Sequence, residues 1–110
     1  MRLLRADEAA ALIGVGVESV FESIARGDLL TIDNDLYGPI PSPQLAEELP
    51  GGVLPGLRQL RRTFPGTTAE FLTWLILPND GLDGETPRAA LRRGEVDAVS
   101  AAVGARSRRS

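Results

Sequence analysis

The chain has 110 residues with 43% apolar and 25% charged side chains, a formal charge of −3, and neither Cys nor His. That length suits one compact domain or two very small ones, and that balance supports a packed core built from Leu, Val, Ile and Ala, since aromatics are only 5%. The inventory excludes disulfides and any thiolate or imidazole metal site, and it removes His, the usual acid–base residue, and the Cys nucleophile.

All 12 basic residues are Arg, the planar binder of carboxylate and phosphate. Residues 1–49 hold three Arg against nine carboxylates, a net −6. Residues 50–110 hold nine against six, a net +3. No apolar run approaches the roughly 20 residues that span a bilayer. Asp7 and Glu8 interrupt any apolar leader. A secreted domain this small usually carries disulfides, so a cytoplasmic protein is expected.

In chain order, Ala6 to Ile13 reads as a short helix with Ala9, Ala10 and Ile13 on one face, stopped by Gly14. A second helix runs from about Val17 to Arg26. Its buried stripe is expected to be Val17, Val20, Phe21 and Ile24, and Gly27 ends it. Leu29–Ile32 and Leu36–Ile40 are expected to pair as a hairpin around Asp33-Asn34-Asp35, a turn-forming cluster. Pro43 to Leu49 reads as a short helix capped by Ser42. Two Pro and three Gly in the eight residues Leu49–Gly56 mark a linker or hinge.

Beyond it, Leu57, Leu60 and Phe64 share a helix face, with Arg58, Arg61 and Arg62 on the other sides. Pro65-Gly66 ends that helix, and Thr67 or Thr68 caps the next. This one is expected to reach about Leu77 and, being apolar almost all round, to be the most buried helix. Pro78-Asn79-Asp80-Gly81 is a turn. Leu82 is expected to plug the loop into the core, and Gly84 to take a positive φ. Thr86-Pro87 starts a further helix, with Thr as cap and Pro at the first helical position, ending at Gly94. A last helix spans about Glu95 to Val103, with Val96, Val99 and Val103 on one face. The Arg-rich tail from residue 105 to 110 lacks core-forming residues and is expected to be flexible.

Little in this inventory supports catalysis. Paired carboxylates need a cleft that so short a chain can hardly build. Asp80, Asp83 and Glu85 share a loop but lack a Ca²⁺-loop spacing, and are better read as a solvated turn leading into a helix. Gly14-Val15-Gly16 follows a helix, not a strand, and no Lys follows it, so it is no phosphate loop. The expectation is a binding protein, not an enzyme, without metal or cofactor.

Two segments resemble known families. Leu4 to Val15 followed by Val17 to Leu29 resembles the helix-turn-helix of excisionase and MerR-type winged domains, and the hairpin with Pro39-Ile40-Pro41 resembles the wing. The resemblance covers about residues 3–49 and implies a second helix that enters the major groove of DNA. Its candidate contacts are Glu18, Ser19, Glu22, Ser23 and Arg26. Two acids and one base are a poor set for neutralising phosphates.

The second segment is Trp74-Leu75, then Pro78-Asn79, then Leu82-Asp83-Gly84-Glu85-Thr86-Pro87, then Leu91 and Gly94. In order and spacing it resembles the toxin-binding domain of Xre/MbcA/ParS-type antitoxins, partners of RES-domain toxins. The similarity extends more weakly from Leu57 to Val103. It implies an antitoxin that binds a cognate RES-type toxin, an enzyme acting on NAD. It also implies a homodimer and, with the first segment, operator DNA as a further partner. Arg88, Arg92, Arg93, Arg106, Arg108 and Arg109 are the candidate toxin contacts. The rival reading is a DNA-binding transcription regulator whose second half serves dimerisation. The expected fold is mainly α. A winged helix-turn-helix-like unit with a small β-hairpin occupies 1–49, a hinge 50–56, a four-helix domain 57–104 and the tail 105–110.

Overall fold

The computed structural model describes residues 2–109, and side chains as far as Arg106. The chain is mainly helical with one small two-stranded antiparallel sheet. β1 (Leu3–Leu4) leads into α1 (Ala6–Ile13) and α2 (Val17–Arg26), and β2 (Ile40–Pro41) follows. The second half carries α3 (Leu57–Thr63), α4 (Thr68–Trp74), α5 (Pro87–Arg92) and α6 (Val96–Arg109).

Glycines set the ends of α1 and α2. Gly14 and Gly27 both adopt the left-handed conformation that costs other residues more. At the start of α1 the Glu8 carboxylate accepts from the Arg5 N–H at 2.9 Å, satisfying a backbone donor at the helix entrance. Ala9, Ala10 and Val20 bring the two helices together around Leu4, Leu29, Ile40 and Leu45. Val17, expected in that stripe, lies 39% exposed, while Phe21 and Ile24 are half-buried.

The expected hairpin does not form. β2 pairs instead with β1, Leu3 opposite Pro41 and Leu4 opposite Ile40. The reason lies in Leu30, whose N–H and C=O are both taken at 2.7 Å by the side-chain amide of Gln44. Tight turns then fold 31–38 back on itself, with Thr31 Oγ1 donating to the Asp35 carbonyl at 2.9 Å. A single backbone bond, Ile32 N–H to Pro39 O at 3.2 Å, crosses the loop where a hairpin ladder was expected.

The expected Pro43–Leu49 helix is also replaced. A 3₁₀ turn at Ser42–Gln44 gives way to extended Leu45, and Ser42 caps nothing. Leu45 then bridges antiparallel to Val53. Bonds from Ala46 N–H to Gly52 O and from Leu54 N–H to Gln44 O, both 2.9 Å, close the Pro50–Gly52 turn between them. The Pro/Gly stretch is a tight corner closed by backbone pairing. Gly52 is buried against Ile13 of α1, and Leu54 is buried in the core of the second half.

That second core is the larger one. Leu57, Leu60, Phe64, Phe71, Leu72, Leu75, Leu91, Val99 and Val103 form its centre. Leu30 and Ala46, from the first half, join it, and Val53 packs against both cores. α4 stops at Trp74, so Ile76 and Leu77 leave the helix and become exposed, against the expectation of a helix buried to its end. α6 has the expected Val96–Val99–Val103 face, but it runs on through 105–109, the stretch expected to be flexible. No helix among the described residues is long and apolar enough to cross a membrane.

Candidate functional site

The Trp74–Gly94 segment is built by caps and turns. Thr67 opens α4 with its hydroxyl accepting from Glu70 N–H at 3.1 Å, and Glu70 returns the favour by accepting from Thr67 N–H at 3.0 Å. These bonds to Thr67, backbone first and side chain second, hold the Glu70 carboxyl below its ordinary range. Trp74 at the far end is buried, its ring 5.5 Å from Phe64 and 6.3 Å from Phe71.

Asn79 organises the following loop. Its side-chain oxygen accepts from Gly81 N–H at 2.8 Å. Its carbonyl accepts from Leu82 and Gly84 N–H, and its own N–H donates to Glu85 O, each at 3.0 Å. Leu82 is buried as the plug, and Gly84 has φ +84° as expected. Thr86 Oγ1 accepts from Ala89 N–H at 3.1 Å and Pro87 takes the first position of α5. Leu91 is fully buried, and Gly94 ends the unit at φ +81°. Trp74, Pro78, Asn79, Leu82, Gly84, Thr86, Pro87, Leu91 and Gly94 thus lie on one continuous turn of chain, and those with visible partners specify its shape.

The arginines divide by what already holds them. Arg88 donates from Nε to Pro43 O and from its terminal nitrogen to Leu45 O, both at 2.8 Å. It ties α5 to the first half. Arg92 pairs with Glu48 across the same seam. Arg93 grips Glu85 with two 2.7 Å bonds and also bonds Glu95. The Arg93 bonds raise its own proton affinity and lower that of Glu85. These three are engaged within the chain.

Arg106 is different. Its guanidinium lies 5.1 Å from the Phe64 ring centroid, a cation–π stack, and the side chain is exposed. It borders an open groove of about 570 Å³ between the end of α4, the Asn79 loop and α6, lined by Trp74, Leu77, Pro78, Asn79, Ala102 and Arg106. Leu77 is exposed at its edge, at 51%. The side chains of Arg108 and Arg109 lie outside the described ones.

On α2, Glu18, Ser19 and Glu22 are exposed and Ser23 is half-buried. Arg26 is held by Asp28 at 3.1 Å and by Ser23 Oγ at 3.4 Å. The expected DNA-contact set therefore presents two carboxylates and one already paired cation. Asp80, Asp83 and Glu85 do not converge, and no group of three or more such ligands does so among the described residues.

Sequence reasoning missed Gln44, the exposed Tyr37 and the Arg106–Phe64 stack. A lone Gln between Pro43 and Leu45 carries no signal of burial. The stack was open to inference only once α3 and α6 were known to be neighbours. Comparison of the chain with protein families, characterised proteins and solved structures finds no match.

Proposed function

We propose that this protein is an antitoxin-like binding protein, not an enzyme, which neutralises a RES-type toxin by stoichiometric contact. What carries the reading is the Trp74–Gly94 segment. Its order of Trp, Pro-Asn, Leu-x-Gly-x-Thr-Pro, Leu and Gly resembles the antitoxin family, and the groove beside it is bordered by Leu77 and Arg106. A groove that offers exposed Leu77 and the Arg106 guanidinium, with Asp80 at its edge, suits a protein surface that brings an apolar group and a carboxylate.

Within this reading the toxin contacts narrow to Arg106, with Arg108 and Arg109 beyond it. Arg88, Arg92 and Arg93 serve the fold. A helix-turn-helix role for residues 1–49 without the hairpin wing, operator binding, homodimer formation and a cytoplasmic location belong to the same proposal. The regulator reading ranks second, because the helix that would enter DNA exposes Glu18 and Glu22.

The test is co-expression with a RES-domain toxin encoded beside this chain. The expected result is a co-purified complex, rescued growth and preserved cellular NAD. Leu77→Asp together with Arg106→Glu should abolish all three while leaving the fold intact by circular dichroism. No complex and no rescue with the wild-type chain would sink the reading.

A further inference from the structure

α4 ends at Trp74, and two apolar residues just past it are exposed, Ile76 and Leu77. Consecutive in the chain, they line different grooves. Leu77 lines the groove of Trp74 and Arg106, and Ile76 lines a second one of about 520 Å³. The two grooves therefore adjoin, with the Ile76–Leu77 peptide as the ridge between them. The second groove lies on the seam of the two halves. Leu12 of α1, Ala46 and Glu47 come from the first half, and Ile76 and Arg92 from the second. Leu12 is exposed like Ile76, so each half presents one open apolar side chain to the same groove.

The polar groups of the seam groove are fixed, with one exception. Arg88 is held by the carbonyls of Pro43 and Leu45, and Arg92 pairs with Glu48. Glu47 is exposed and forms no ion pair among the described residues. The groove thus offers two apolar groups and one carboxylate open to a cation. Size points the same way as chemistry. A specific protein contact takes about 20–30 residues on each side. Ten line the Arg106 groove, so a partner confined to it falls short. Ten others line the seam groove, which begins one residue away.

We infer that the toxin contact crosses the Ile76–Leu77 ridge into the seam groove. There the toxin sets an apolar side chain between Leu12 and Ile76, and a Lys or Arg against Glu47. The inference rests on the toxin reading and assigns the partner's footprint and orientation. Arg106 takes a carboxylate at one end and Glu47 a cation at the other, so the reversed orientation brings like charges together at both. The first half becomes part of the binding surface, and the footprint is complete only while Arg88 holds the two halves in place.

The test is calorimetric titration of the purified full chain with the RES-domain toxin encoded beside it. Leu12→Asp and Ile76→Asp should each raise Kd about tenfold or more. Glu47→Arg should raise it about fivefold or more at low salt, with Glu47→Gln between it and the wild type. Tyr37→Ser, at an exposed side chain that lines neither groove, should bind as wild type. Should Leu12→Asp lose helical circular dichroism, Leu12→Ala replaces it and should weaken binding in the same direction. The inference is overturned, and the toxin reading left standing, if the toxin binds and Leu77→Asp with Arg106→Glu abolishes binding while Leu12→Asp or Glu47→Arg binds as wild type. Tighter binding by Glu47→Arg, or a loss on Tyr37→Ser as large as on Leu12→Asp, overturns it too. A wild type that binds no toxin removes the reading and the inference together.

Discussion

Gln44 does for the backbone of Leu30 what a neighbouring strand would otherwise do. Its amide oxygen accepts from Leu30 N–H and its amide nitrogen donates to Leu30 O, both at 2.7 Å, and also to Pro41 O at 3.1 Å. The residue is fully buried, so each of these groups is dry. Removing the amide leaves a backbone donor and two acceptors without partners, at about 1–3 kcal/mol for each group that water cannot reach. Gln44→Ala is expected to lower unfolding free energy by about 3 kcal/mol, read from urea denaturation. Gln44→Met, which keeps the volume and removes the amide, should be little better, because Leu30 N–H, Leu30 O and Pro41 O stay without partners, whereas a purely space-filling role would tolerate it. Sequence patterning ranks such a residue as a surface polar group, since its value depends on a carbonyl fourteen positions away.

At the scale of elements, the legible parts were those whose chemistry is local. Thr67 and Thr86 cap helices, and Gly84 and Gly94 turn left-handed, because each acts on groups within a few residues of itself. The misread parts depend on distant partners. The strand at Ile40–Pro41 pairs with Leu3–Leu4, so the local turn signal at Asp33-Asn34-Asp35 pointed to the wrong partner. Ile76 and Leu77 continue the apolar run of α4 after its backbone has left the helix, and periodicity alone does not mark that exit. For the candidate site the motif was legible, but the identity of the free arginine was not. Arg88 and Arg106 look alike until Pro43 O and Leu45 O are seen beside one and Phe64 beside the other.

The α4 cap also sets a pH dependence. The Glu70 carboxyl is depressed by accepting from Thr67, so it stabilises the charged, folded form. That contribution is complete above the ordinary glutamate value. It fades as pH falls through that value and then through the lower folded one. Glu70→Gln removes the titration. The wild type should therefore exceed this variant in stability near pH 7, and the gap should shrink as the pH approaches about 3. A gap that widened on acidification would contradict the depressed value.

For the whole molecule the question is whether the two halves fold separately. The first core is small: Leu4, Ala9, Ala10, Val20, Leu29, Ile40 and Leu45. Two of its seven side chains are single methyl groups, and a unit of about 50 residues with so small a core is marginal on its own. The second half supplies what is missing. Leu30 and Ala46 insert into the larger core, Gly52 seats on Ile13, and Arg88 bonds the carbonyls of Pro43 and Leu45. The chain is thus expected to unfold in one step, with Trp74 fluorescence and far-ultraviolet circular dichroism sharing a single midpoint. Arg88→Ala should cost about 2–3 kcal/mol by stranding two carbonyls, and Arg88→Lys should recover little, since one ammonium lacks the fork that reaches both. The transition should stay single in both variants, because a first half released from the second has no stable fold to retain. The fragment 1–49 provides the sharpest reading. If its circular dichroism shows a cooperative melt on its own, the corner at Pro50–Gly52 is a link between independent units, and the interlocked architecture argued from Arg88 and Leu30 does not govern stability.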